Sequence, residues 1–155
     1  MKIELLAAGT RSPEWIETGV AEYRKRMPRE CALELTEIAV AKRVKNDSIE
    51  RFKLEEEKRF RQKLTPGARI VALNSGGKIW STMELSKRLE VWKDNFRHVQ
   101  MLIGGPDGLS RGCLDEADEI WSLSNLTFPH FLVRVLVAEQ LYRAWSLLNN
   151  HPYHR

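Results

Sequence analysis

The stretch "VQMLIGGPDGLS", Val99 to Ser110, decides the fold class. Val99 to Ile103 is an apolar run of strand length, and runs of this kind belong to strands covered on both faces. It breaks into three glycines within five residues, Gly104 to Gly108. Glycine at that density marks backbone at positive φ or backbone pressed close to something. Arg69 to Asn74 (RIVALN) repeats the arrangement as a second buried-type strand, ended by Ser75-Gly76-Gly77. Lys2 to Ala8 (KIELLAA) is a third, ended by Gly9-Thr10. Ala32 to Ile38 alternates Leu33 and Leu35 with acids, as a strand with one wet face does, and Glu119 to Leu123 is a short fifth strand.

Helical patterns fill the intervals. Ser12 reads as an N-cap with Pro13 in the first helical position, opening a helix to about Met27. Asp47 to Leu64 is helical but highly charged, with a thin apolar stripe of Ile49, Phe52 and Phe60; its run Glu55-Glu56-Glu57-Lys58-Arg59 predicts a solvated face. Ser81-Thr82-Met83-Glu84 is a capping box, and the helix after it stacks Leu85, Leu89, Trp92 and Phe96 on one side. Arg111 to Ala117 is a short helix. Pro129 to Leu148 is a long apolar one, with Leu132, Val135, Leu136, Ala144 and Trp145 as candidates for burial. Strands alternating with helices predict a single α/β domain over 1–155, its mainly parallel sheet covered by helices on both faces.

Composition narrows the function classes. The 155 residues are 43% hydrophobic and 30% charged, the profile of an ordinary soluble globular protein. No apolar run approaches the roughly 20 residues a membrane span needs. The opening Met1-Lys2-Ile3-Glu4 lacks a signal-peptide layout. Two cysteines, Cys31 and Cys113, make neither a disulfide framework nor a metal cluster, so a reduced, cytoplasmic setting is expected. The net charge of +4 permits a polyanionic partner without demanding one.

Ligands of open α/β sheets bind beyond the carboxyl ends of the strands. That rule gathers Asn74–Lys78, Gly104–Ser110 and Ser122–Pro129 into one crevice that would read its ligand largely with main chain. The glycine spacing is neither a Walker A motif nor G-x-G-x-x-G, and a tight turn without a ligand is the plainer alternative. On the last helix, Arg134, Glu139 and Arg143 are charges among apolar positions, and they must be paired, liganded or at an interface. Glu139 and Arg143 share a face and can pair. The tail Asn150 to Arg155 concentrates imidazole, phenol and guanidinium; His151-x-x-His154 has no companion ligands, so no metal is expected.

Taken together, "LLAAGT" at 5–10, "LIGGPDGLS" at 102–110, "SLSNLTFPHFLVRVLVAEQLYRAW" at 122–145 and "NHPYHR" at 150–155 resemble the RlmH family over essentially the whole chain. These are bacterial SPOUT-class methyltransferases acting on the N3 nitrogen of a pseudouridine in 23S rRNA. The resemblance implies a C-terminal trefoil knot, a homodimer, and S-adenosylmethionine held in the crevice of the three loops. Matched by position, the cofactor contacts fall at Leu73, Gly104, Gly105, Leu123, Ser124, Asn125, Leu126, Thr127 and Phe128. Loss of the N3 proton and stabilisation of the resulting anion then assign His130 or Glu139 to deprotonation and Arg134 or Arg143 to the anion. Tyr153, His154 and Arg155 would close the site of a partner subunit. Arg24-Lys25-Arg26 and Lys42-Arg43-x-Lys45 are candidate RNA contacts. A charge of only +4 favours the large subunit in an assembled ribosome over free rRNA as substrate. Two rivals stand beside this: a non-catalytic ribosome-binding protein of the same fold, and a nucleotide-binding α/β enzyme using the glycine loop for phosphate.

Overall fold

The computed structural model describes all of residues 1–155. Its strands are β1 (Lys2–Ala8), β2 (Ala32–Ile38), β3 (Arg69–Ile79), β4 (His98–Ile103) and β5 (Glu119–Ser122). Its helices are α1 (Glu14–Arg26), α2 (Ile49–Arg61), α3 (Thr82–Asn95), α4 (Arg111–Glu116) and α5 (His130–Leu148). The strands form one sheet in the order β2-β1-β4-β3-β5, and every pairing is parallel. The stretch that decided the fold class is thus the central strand, held between β1 and β3. The expected α/β architecture, a parallel sheet with helices on both faces, is what the chain adopts.

Alternate residues of the buried strands serve opposite faces. Ile3, Leu5, Val71 and Met101 point to the side covered by α3 and α5, where Leu85, Leu89, Trp92, Val137 and Leu141 meet them. Leu6, Ala72 and Leu102 point to the other side, packed with Phe60 of α2 and Cys113 of α4. Helix α5 lies between α1 and α3. The capping box is formed: Ser81 Oγ accepts from the Glu84 N–H at 3.1 Å, and the Glu84 carboxylate accepts from the Ser81 N–H at 2.7 Å.

Four expectations are corrected. Strand β3 continues to Ile79 rather than ending at Asn74, because pairing with β5 breaks after Leu73 and resumes at Lys78 across a bulge. Gly77 makes that possible, since a Cβ there would sit 2.6 Å from the Ile120 carbonyl oxygen. Pro13, not Ser12, occupies the cap of α1, and Ser12 Oγ instead reaches Glu17 at 3.4 Å. On α2, Glu56 and Glu57 are 2% and 6% exposed instead of solvated, whereas Ile49 faces solvent. On α5, Ala144 is buried as expected, but Leu132, Val135, Leu136 and Trp145 are only half-buried; Arg134, Val137, Ala138, Leu141, Tyr142 and Ser146 face inward instead. The helix therefore keeps an apolar strip at the surface.

Candidate functional site

A cleft of about 280 Å³ opens at the carboxyl ends of β3, β4 and β5. Leu73, Asn74 and Ser75 form one wall, Ile103 to Pro106 with Gly108 a second, and Trp121 to Ser124 with Leu126 to Phe128 a third; His130 and Val133 of α5 complete it. The three loops singled out by the strand-end rule meet here. Of the positions matched to cofactor contacts, only Asn125 is absent from the wall.

Local backbone chemistry shapes each wall. Residues 105–108 form a tight turn in which the Gly108 N–H donates to the Gly105 carbonyl at 3.0 Å, and Gly108 has φ +78°. A Cβ on Gly104 would lie 2.5 Å from the Gly108 carbonyl carbon, so only hydrogen fits where the loop folds over itself. In the third wall, Ser122 Oγ donates to the Ser124 carbonyl at 3.0 Å, and the Leu126 N–H donates to Ser124 Oγ at 3.0 Å. No acidic or basic side chain other than His130 lines the cleft. Leu73, Ile103, Leu123, Leu126, Phe128 and Val133 give it apolar surface, and Asn74, Ser75, Ser122, Ser124 and Thr127 are its uncharged polar side chains. The wall has no lysine or arginine of the kind that pairs with a nucleotide phosphate, which favours a ligand without phosphate.

His130 opens α5 at the cleft, its ring 4.3 Å from that of Phe131. Burial, followed by the positive charge of Arg134, lowers its pKa below the ordinary 6.5. The imidazole is thereby biased to the neutral form, which can accept a proton.

The other side chains named for catalysis divide into two groups. Arg134 is fully buried: one nitrogen donates to the Gly9 carbonyl at 2.6 Å and the Ala8 carbonyl at 3.2 Å, and another to Glu37 at 3.0 Å. It fastens α5 to the end of β1 and does not line the cleft. Glu139, Arg143 and Tyr153 are gathered farther along the helix. Arg143 Nε donates to Glu139 at 2.8 Å, and the Tyr153 hydroxyl donates to the same carboxylate at 3.1 Å while lying 3.3 Å from the Tyr23 hydroxyl. Burial, the Tyr23 contact and the Glu139 charge raise the Tyr153 pKa; the hydrogen bond to Glu139 raises that of Arg143. Nine residues of helix separate Glu139 from His130, about 13 Å along the axis. Tyr153 and His154 lie half-buried, with the Tyr153 ring 4.6 Å from that of Tyr142, and Arg155 is exposed. One chain brings His130 to the cleft but not Glu139, Arg143 or Tyr153.

The basic patches also divide. Arg26 is paired with Glu22 and lies within 6 Å of three tyrosine rings, as the distances of 5.7, 5.9 and 5.9 Å record. Arg43 is paired with Glu56 and Asp107. Arg24, Lys25, Lys42 and Lys45 are exposed. No helix is long and apolar enough to cross a membrane, and no cluster of three His, Cys, Asp or Glu side chains is placed to hold a metal ion. Sequence reasoning missed the buried pair Glu56 and Glu57, whose partners lie up to 53 residues away in the chain.

A family model described as "Predicted SPOUT methyltransferase" matches residues 1–154. Ribosomal RNA large subunit methyltransferase H of Methylococcus capsulatus is 54% identical over 155 residues, covering 100% of both chains. A solved structure of a probable methylase family protein from Haemophilus influenzae Rd KW20 superposes with a TM-score of 0.56 at 12% identity, over 99% of this chain and 70% of that one. That last likeness bears on the fold alone.

Proposed function

The chain belongs to the SPOUT methyltransferase family, and from that premise we propose that it methylates the N3 nitrogen of a pseudouridine in 23S rRNA, using S-adenosylmethionine and acting in the cytoplasm on the large subunit or assembled ribosome. The observation that carries this reading is the cleft itself, walled by main chain and apolar side chains and free of any cation for phosphate. A lining without lysine or arginine supports a nucleoside-like ligand joined to a sulfonium over a nucleotide. The full-length relative named for large-subunit rRNA supports the substrate class.

Bound in the cleft, S-adenosylmethionine would supply an electrophilic methyl group. The walls at Leu73, Gly104, Gly105, Leu123, Ser124 and Leu126 to Phe128 would hold it, orient it and keep water out. Orientation matters because an in-line displacement is accelerated chiefly by alignment of donor and acceptor. His130, the one titratable group on the wall, has its pKa lowered by burial and by Arg134, which suits it to removal of the N3 proton, with Glu139 as the other candidate. The charge developing on the base then needs a cation. Arg134 donates to Ala8, Gly9 and Glu37, so Arg143 takes that role.

The separation of Arg143 from the cleft is resolved by a homodimer, in which Tyr153, His154 and Arg155 of one subunit close the cleft of the other. The half-exposed apolar strip Leu132, Val135 and Leu136, beside Trp15 at 62% exposure, is the surface a second copy would cover. The same reading includes a C-terminal trefoil knot.

Tritium transfer from labelled S-adenosylmethionine to ribosomes lacking the modification tests the activity. Label should appear in 23S rRNA and map to an N3-methylated pseudouridine. Ribosomes left unlabelled, or label on another nucleoside, would overturn the assignment. Comparable turnover on naked rRNA fragments would remove the preference for ribosomes, and a strictly monomeric protein in light scattering would remove the shared site.

A further inference from the structure

Two carboxylates buried side by side on an exterior helix require an explanation, because an uncompensated buried charge is strongly unfavourable. Each has its own partners, and Glu57 is paired with Arg61 one turn along the same helix at 2.8 Å. Glu57 accepts a hydrogen bond from Ser110 Oγ at 2.6 Å, and Ser110 in turn caps α4. Glu56 accepts from the Ala41 N–H at 2.9 Å and from Arg43 at 2.7 Å. The other arm of Arg43 reaches Asp107, and its guanidinium lies 4.7 Å from the centre of the Phe52 ring. Pro106 and Gly108 line the cleft while Asp107, between them, does not; its carboxylate turns to the back of the loop. A Cβ on Gly105 would crowd the Val40 side chain at 3.3 Å, so the loop lies close against the segment that leads to Arg43. Helix α2 thus grips the glycine loop at its tip through Arg43 and at its end through Ser110.

We propose that Arg43 is a positioning residue for the cleft: by bridging Glu56 to Asp107 it holds the turn 105–108 in the form whose main chain lines the ligand site. The proposal rests on the methyl-donor reading only for the identity of the ligand. A loop already ordered by Arg43 loses less conformational freedom on binding than a loose one, and that difference appears directly in affinity. The planar guanidinium serves Glu56, Asp107 and, at 2.8 Å, the Ala41 carbonyl at once, which the single ammonium of lysine cannot do. Arg43 keeps 34% of its side-chain surface and Asp107 20%, so solvent screens part of the bridge and the effect is moderate.

The test uses the full-length protein and its variants R43Q, R43K, D107N and the double variant R43Q/D107N. Calorimetry with S-adenosylhomocysteine should show R43Q and D107N binding about tenfold more weakly. The double variant should be no worse than either single one, since all three lose the same bridge, and R43K should fall between. The KM for S-adenosylmethionine should rise in both single variants, and in D107N, which changes no residue of either basic patch, the KM for ribosomes and kcat should stay within about twofold. Amide hydrogen exchange over Gly104 to Leu109 should quicken in R43Q and D107N whether or not ligand is present. Unchanged affinity together with unchanged exchange overturns the proposal. So does weakening that adds in the double variant, or that tracks only a loss of folded protein. If the wild-type protein itself does not bind S-adenosylhomocysteine, the methyl-donor reading fails and the bridge is judged by exchange alone: wild-type protection in R43Q then refutes it.

Discussion

Arg134 and Arg143 are two arginines on one helix, nine residues apart, and the fold uses them in opposite ways. Arg134 has no exposed surface, and its two terminal nitrogens donate to the Ala8 and Gly9 carbonyls and to Glu37. Arg143 keeps 32% of its side-chain surface, pairs with Glu139, and lies 5.0 Å from the Tyr153 ring centre. The first half of α5 thus belongs to the ends of the strands, and the second to a surface cluster of charged and phenolic groups. In the sequence the two arginines look alike, because both interrupt an apolar helix. What separates them is the partner each meets: backbone carbonyls of β1 and the following glycine for one, a neighbour on its own helix for the other.

Replacement of Arg134 by Met should have the largest effect. It leaves the Ala8 and Gly9 carbonyls without that donor, at about 1–3 kcal/mol for each buried group left unsatisfied, while Glu37, which keeps 32% of its side-chain surface, is screened by solvent and adds little. Urea unfolding measures this. A variant as stable as wild type but unable to transfer methyl groups would reverse the division between the two arginines. Arg143→Gln is the converse experiment. A half-exposed pair contributes at most about 1 kcal/mol to stability, so the unfolding midpoint should hardly move. Loss of a group that meets developing charge should lower kcat by about a hundredfold. Retention of full activity would leave Arg143 as a surface ion pair and nothing more.

His130 sharpens the contrast through pH. Its folded-state pKa is lowered by burial and then by Arg134, so the folded protein resists protonating it. The stability contributed by the neutral ring is complete above the ordinary value of 6.5 and is lost as pH falls through the lower folded value. Methyl transfer should likewise fall on the acid side at a pH below 6.5. His130→Gln should flatten that acid limb and abolish the matching loss of stability. An acid limb of unchanged position in the variant would move the proton acceptor to Glu139 or to solvent.

The sheet and the cleft were legible because both follow from local patterns. VQMLI and RIVALN are apolar runs of strand length ending in glycine, and parallel strands put those endings on one side. Long-range pairing was not legible. Nothing local distinguishes Glu56 and Glu57 from the exposed Glu55 beside them: Glu57 pairs with Arg61 just as Glu55 pairs with Arg59, and the contacts that set the two apart, from Arg43 and Ser110, come from outside the helix. The same holds for β3, where Gly77 reads as a strand stop until Ile120 and Trp121 are placed against it. On α5 the apolar residues outnumber what one face can bury, so the sequence marks a buried helix without marking the buried side.

The smallest effect, and the most discriminating one for the tail, is expected of Tyr153→Phe. The ring contact with Tyr142 at 4.6 Å would survive the change, while the hydroxyl linking Glu139 and Tyr23 would be lost. A hydrogen bond to a partly exposed carboxylate contributes about 1 kcal/mol, so thermal unfolding should shift by only a few degrees. The shift should depend on where the tail rests. If Tyr153 stays on its own α5, the variant is destabilised equally in dilute and concentrated protein, and methyl transfer is barely altered. If the tail instead leaves to close a partner's cleft, the stability difference shrinks as the dimer forms, and the lost hydroxyl appears as slower transfer. Unfolding midpoints of wild type and variant across a dilution series, measured beside single-turnover rates, separate the two. A concentration-independent difference with unaltered transfer would confine the tail to its own subunit.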